Sequence, residues 1–253
     1  VMDKGIYTAV GSINAQRNQE TNSVHELANV STIGFKKAYQ MALQTYRVDG
    51  DGFKTRFLAT NEPTGLVNMT PGSRIATGNA TDIYMNGQTV LGVQNDEGQT
   101  VFTRRGDIRT NQNGELALVT GQLVLNDGGG PIVPPPGQLL NISDEGVIYA
   151  IDPEQEVAEP QEIDRLLLRD ASEVQLEKMT DGLFKVVGQP VGDFESGPNL
   201  VSISSGQLEG SSANAMETMV QMMNGVRSFE MKMKLVKELG DLGDSNNTLM
   251  RLS

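Results

Sequence analysis

The chain has no cysteine, no tryptophan and a single histidine, His25, and aromatic residues make up only 5% of it. Without Cys there is no disulfide, no thiolate nucleophile and no Cys-ligated zinc. With so few rings, a core must be built mainly from Val, Ile, Leu and Met. A Ser-His-Asp triad or a His-based metal site would have to use His25. That residue falls in a predicted N-terminal helix, and no nucleophile motif accompanies it, so it reads as a surface or interface residue. No run of about 18 apolar residues occurs, so no membrane-spanning helix is expected. Residues 1–7 lack the basic and then apolar pattern of a cleaved secretory signal. Positive charge is also scarce. Lys and Arg number 20 against 32 Asp and Glu, for a net charge of −12. Nucleic acid and anionic membrane surfaces both favour cationic partners, so neither is an expected partner. No catalytic residue, cofactor or metal ligand stands out, and the chain is not expected to be an enzyme.

What is present is organised by position. At 253 residues the chain can hold one large domain or two small ones with a buried core. Near the N-terminus, Ile6, Ala9, Val10 and Ile13, then Val24, Leu27 and Ala28, suit one face of a helix. The intervening stretch, Asn14 to Ser23, is polar apart from Ala15 and gives a helix little reason to fold alone. Near the C-terminus, Ser211 or Ser212 can cap a helix. Its apolar stripe runs Met216, Met219, Met223, Val226, Phe229, Met233, Val236, Leu239 and Leu242. Steps of three and four residues are those of a coiled-coil seam. Gly225, Gly240 and Gly243 weaken the helix, and fraying is expected beyond Gly240.

Between the ends the pattern changes to short apolar runs with turn residues close by. Strands are expected at Asp82–Met85, Val101–Thr103 and Asp107–Thr110. Asn113-Gly114 is a hairpin signal, since both residues tolerate positive φ, and Glu115–Val119 returns from it. Further strands are expected at Leu123–Leu125, Leu139–Ile142, Val147–Ala150, Ile163–Leu168 and Leu183–Val187. Lys36 to Tyr46 can continue the first helix, with extended chain from Asp49 onward. The fold class read from this layout is α+β. Long terminal helices form a coiled-coil-like assembly domain, and a central all-β domain is inserted between them. The expected divisions are an assembly helix at 1–35, an extended linker at 36–80, the β domain at 81–203 and a second assembly helix at 204–253.

Several features could be taken for chemistry. Asp127-Gly128-Gly129-Gly130 lacks the Gly-Lys-Ser/Thr and the helix of a phosphate loop, and Pro131 follows it, so it reads as a turn. The acidic run Asp152, Glu154, Glu156, Glu159, Glu162 and Asp164 has no EF-hand pattern and reads as a solvated loop. Met216, Met219, Met222, Met223, Met231 and Met233 could bind copper, but their helical spacing favours packing.

Three separated stretches carry a resemblance. Leu27-Ala28-Asn29-Val30-Ser31-Thr32-Ile33-Gly34-Phe35-Lys36 resembles the N-terminal signature of bacterial flagellar rod and hook proteins. Asn29 and Ser31-Thr32 end a helix by bonding locally, Gly34 permits a sharp exit, and Phe35 can anchor the chain that follows. Phe102-Thr103-Arg104-Arg105-Gly106-Asp107-Ile108 resembles the family's β-domain motif. Leu208-Glu209-Gly210-Ser211, with Glu217, Met219, Met223, Arg227, Phe229-Glu230 and Lys232, resembles its C-terminal helix. The opening Met2-Asp3-Lys4-Gly5-Ile6-Tyr7-Thr8-Ala9 is most similar to proximal-rod members. His25-Glu26 and Ser212-Ala213 depart from the usual residues. The two Asn-x-Ser/Thr triplets, at Asn79 and Asn141, are coincidental in a bacterial-looking chain.

The resemblance implies a structural subunit of the rod in the flagellar basal body, across the periplasm. Such subunits are exported by the flagellar type III apparatus without signal cleavage and transmit torque through packed terminal helices. The implied partners are other rod subunits, copies of the chain itself and the export apparatus. The expected assembly interface comprises Ile6, Ile13, Leu27, Asn29, Gly34 and Phe35 at one end. At the other it comprises Met216, Met219, Met223, Val226, Phe229, Met233 and Val236. A β-domain binding module that makes a discrete oligomer through its helices is the alternative reading.

Overall fold

A computed structural model describes residues 2–39, 44–50, 53–60, 65–153 and 159–251 of the chain. The packing divides it into two compact units. One comprises Val1–Ala28, Gln40–Thr64 and Asn214–Ser253, and the other comprises Asn29–Tyr39 and Gly65–Ala213.

The first unit holds helix α1 (Met2–Ala28), strands β1 (Gln44–Gly50) and β2 (Phe53–Thr60), and, at the far end of the chain, helix α2 (Ala215–Arg251). β1 and β2 pair antiparallel, with Gln44 opposite Thr60 and a register shift between Val48 and Gly50. The Lys36–Tyr46 stretch is therefore not a continuation of α1. Ala38 bridges to Val67, and Gln44 to Tyr46 lie in β1, while residues 40–43 lie outside the described residues. α2 runs through Gly240 and Gly243 without ending, beyond where fraying is expected from the sequence.

The second unit is antiparallel β throughout. Its strands are β3 (Arg74–Ala76), β4 (Ile83–Met85), β5 (Thr89–Gln94), β6 (Thr100–Thr103) and β7 (Ile108–Thr110). Then come β8 (Leu116–Leu118), β9 (Leu123–Val124), β10 (Leu139–Ile142), β11 (Val147–Ile151) and β12 (Gln161–Arg165). β13 (Leu168–Asp170), β14 (Leu176–Lys178), β15 (Phe184–Val186), β16 (Ile203–Ser205) and β17 (Gln207–Glu209) complete it. The largest sheet has the order β14-β15-β6-β5-β9-β8-β7, with β13 joining at β5. β10, β11 and β12 form a three-stranded meander, and β16 pairs with β4 and β17 with β3.

Side-chain alternation explains why β5 and β6 lie at the centre. Successive residues of a strand point to opposite faces. In β5, Leu91 and Val93 enter the main apolar cluster and Val90 enters a second one. In β6, Val101 enters the first and Phe102 the second. Phe102 meets Phe194 edge-on, with ring centroids 4.7 Å apart. Such a pair adds about 1 kcal/mol to the burial of its rings. Both faces of these strands are thus covered, as their apolar runs require.

The α+β class expected from the sequence, with long terminal helices forming a coiled-coil-like assembly domain, is corrected. Among the described residues seventeen strands stand against two helices, one at each end, and these make no coiled coil. Knobs-into-holes packing needs the seam residues buried against a partner helix. Instead, Met216, Met219, Met223, Val226 and Met233 are between 46% and 79% exposed. Hydrogen bonds join α1 and α2. The Gln16 side-chain amide donates to the Gly225 carbonyl, and Lys232 Nζ donates to Gln16 Oε1 at 2.9 Å and to the Ser12 carbonyl at 3.4 Å. The sequence pattern identifies an apolar stripe, but a stripe does not specify which surface covers it.

Candidate functional site

The site grows from the end of α1. Beyond Ala28, Thr32 N–H donates to the Asn29 carbonyl and Thr32 Oγ1 lies 3.1 Å from Asn29 Oδ1, closing a turn. Gly34 then takes φ +68°, a left-handed value that L side chains rarely adopt. A Cβ there would also sit 2.6 Å from the backbone of Arg104 and Arg105. The glycine thus allows two stretches of backbone to touch. Gly34 N–H donates to the Glu209 carbonyl at 2.7 Å. Phe35 is buried, with Lys178 Nζ 3.7 Å from its ring centroid, and its carbonyl accepts Ser212 N–H at 2.9 Å.

These contacts bring together Lys36, Arg104 and Glu209, one charged residue from each of the three stretches that carry the family resemblance. All three are fully buried. Lys36 Nζ donates to Glu209 Oε1 at 2.6 Å, and Arg104 Nε donates to Glu209 Oε2 at 2.7 Å. Arg104 also donates to the carbonyls of Met85, Gly87 and Thr89, at 2.7, 3.0 and 2.7 Å. Lys36 also donates to the Thr70 carbonyl at 2.8 Å, and Gly72 N–H donates to Glu209 Oε1 at 2.8 Å. Buried charge is tolerated when paired and hydrogen-bonded in this way.

The electrostatics follow from the geometry. Burial, with the neighbouring Arg104 charge, lowers the Lys36 ammonium to about 8, against the opposing pull of Glu209. For Glu209, burial alone would favour the neutral acid. The charge and hydrogen bonds of Arg104, joined by those of Lys36, outweigh it and hold the carboxyl below its ordinary value. A lowered lysine can act as a nucleophile or base. This one has no exposed side-chain surface, and its donors are committed to protein acceptors. The arrangement suits fastening chain segments, not handling a substrate.

Of the sequence-predicted interface residues, Asn29, Gly34 and Phe35 lie together at this fastening, the last two buried. Ile13 and Leu27 are half-buried on α1. Ile6 lies on α1, and its side chain is outside the described residues. On α2, Phe229 and Val236 are half-buried, while Met216, Met219, Met223, Val226 and Met233 are exposed. His25 is exposed and Ser212 is half-buried, its hydroxyl accepting Lys37 N–H at 2.9 Å. The helix cap is neither Ser211 nor Ser212. Asn214 Oδ1 accepts the N–H of Met216 at 3.0 Å and of Glu217 at 3.3 Å.

Sequence reasoning did not assign the ion cluster, nor the polar Gln16 and Lys232. The cluster did leave a signal, since each of the three motif stretches carries a charged residue, and Lys36 and Glu209 stand directly beside the apolar Phe35 and Leu208. Of the acidic run, Glu154 and Glu156 lie outside the described residues. Among the described residues, no group of three His, Cys, Asp or Glu could hold a metal, and no helix is long and apolar enough to cross a membrane.

Comparison with known proteins points one way. The family model described as "Flagellar basal body rod FlgEFG protein C-terminal" matches residues 204–249. The chain is 33% identical to the flagellar basal-body rod protein FlgF of Escherichia coli (strain K12) over 258 aligned residues, covering 100% of both chains. It is 33% identical to FlgF of Salmonella typhimurium, again over 100% of both. The flagellar basal-body rod protein FlgG of Agrobacterium fabrum is 24% identical, over 92% of this chain and 94% of its own.

Proposed function

The chain belongs to the flagellar basal-body rod protein family, and on that premise we propose that it is a structural, non-enzymatic subunit of the proximal rod. In this reading its terminal helices polymerise with neighbouring rod subunits and with copies of itself. The axial shaft so formed spans the periplasm and transmits torque. The flagellar type III apparatus exports the subunit without a cleaved signal.

The observation that carries the proposal is the outward apolar stripe of α2. Met216, Met219, Met223, Val226 and Met233 are exposed on one helix, and the rod-family match covers that same stretch. A contiguous apolar patch in water marks an interaction surface. Neighbours that cover it without closing a ring extend a helical array. Methionine can adapt to neighbours of differing shape. The interface residues proposed are those of the stripe, together with Phe229 and Val236 on α2 and Ile6, Ile13, Leu27, Asn29, Gly34 and Phe35 near the N-terminus.

Electron cryomicroscopy of isolated basal bodies tests the proposal. Density for this chain in the rod wall, with α2 against neighbouring subunits, is the expected result. A rod complete without this chain would overturn it, and a purified chain that forms a closed oligomer would then favour the binding-module reading.

A further inference from the structure

We propose that three segments of the second unit, Asn29–Tyr39, residues 68–76 and residues 207–213, form one clasp that opens as a unit ahead of the β body, with the Glu209 carboxylate as its lock.

The hydrogen bonds divide in this way. The three segments are bonded chiefly to one another. Gly34 N–H donates to the Glu209 carbonyl, Gly210 N–H to the Ser73 carbonyl at 2.7 Å, Ser212 N–H to the Phe35 carbonyl, and Asn68 N–H to the Lys37 carbonyl at 2.8 Å. β17 pairs with β3 along Gln207–Glu209. None of the three contributes a buried residue to either apolar cluster, and only Met69 packs, partly buried, against the second. Elements with few core contacts open at lower free energy than the core does.

The ion cluster straddles the boundary. Arg104 is caged by three carbonyls of the body, and Lys36 lies on the clasp with the Thr70 carbonyl. Glu209 is the group that neutralises both, one oxygen to each. Removing its charge leaves a buried cation on each side of the same seam. The resulting repulsion acts between clasp and body and leaves the body's own strand pairing untouched. Asn29 follows α1 directly and Ala213 precedes α2 by two residues, so the clasp carries the covalent links to both helices.

Amide hydrogen exchange measured by NMR on the full chain tests this, comparing wild type with Glu209→Gln. The amides of Gly34, Gly72, Gly210 and Ser212 should be less protected in wild type than those of Gly92, Leu116 and Leu167, and should exchange faster in the variant by on the order of a hundredfold. Equal protection of the two sets in wild type would overturn the separate clasp, and no acceleration of the four clasp amides in the variant would overturn the lock. If Glu209→Gln does not fold, wild-type exchange in sub-denaturing urea decides. The four clasp amides should then share one opening free energy below that of Leu116. Convergence of all of them on a single value would overturn the proposal.

Discussion

Glu209 holds two cations that cannot reach water, and the cost of losing it differs from the cost of losing either partner. Glu209→Gln leaves Lys36 and Arg104 buried without a counter-charge and should destabilise the fold by about 3–5 kcal/mol. Lys36→Met leaves Glu209 still bonded to Arg104 and to Gly72 N–H, so it should cost less. Urea unfolding of the two variants checks the order, and the reverse order would refute this account of the cluster. The pH dependence has two arms. Glu209 titrates lower when folded, so its stabilisation is present above the ordinary carboxylate value and is lost as pH falls through the folded one. Lys36 is lowered from 10.5 to about 8, so the folded chain binds fewer protons than the unfolded chain in that window, and stability rises with pH across it. Relative to Lys36→Met, wild type should gain at most roughly 3 kcal/mol over that window. A flat difference between the two proteins from neutral to alkaline pH would contradict the assignment.

At the scale of elements, α1 and α2 show what the sequence makes legible and what it does not. The apolar spacing of α2 marks a helix, and one forms at Ala215–Arg251. The same spacing suggests a seam between helices, yet the seam residues of α2 are largely exposed and the hydrogen bonds between the helices run through Gln16, Gly225 and Lys232. In the described part of α1 the buried residues are Gln16, Ser23 and Glu26, while Val24 is exposed. Hydrophobic periodicity weighs only apolar positions, so a helix face that buries polar groups is invisible to it. The β strands were easier to read, because short apolar runs between turn residues mark them whether one face is covered or both. β10 spans Leu139–Ile142, the bounds of the apolar run itself. The ion cluster was not legible because its members lie 173 and 105 positions apart. Gly225 permits a prediction about α2. A Cβ there would lie 3.6 Å or more from Glu20 and Gln16, an ordinary contact. Gly225→Ala should therefore raise helix stability by about 1 kcal/mol, seen as a higher melting temperature by far-ultraviolet circular dichroism. A lower melting temperature would show that α2 needs the glycine.

For the whole molecule, the apolar stripe and the β body make separable predictions. Met219→Asp combined with Met223→Asp places two charges on an exposed face. The isolated chain should unfold within about 1 kcal/mol of wild type, since surface changes are small. Motility should be lost, because covering a charge without a partner is costly. Unimpaired swimming would remove the stripe from the assembly interface. Motility assays in a strain lacking the native copy, with unfolding curves of the purified chain, measure the two effects independently.

The hydrogen bond from Ser212 to the Phe35 carbonyl has a consequence for how such a chain can change over generations. The body is entered and left at one spot, so its two cut ends already lie side by side. Termini that meet in this way tolerate the exchange of one domain for another. A lineage could lengthen, shorten or replace everything between those two residues as a cassette, while inheriting the helices unchanged.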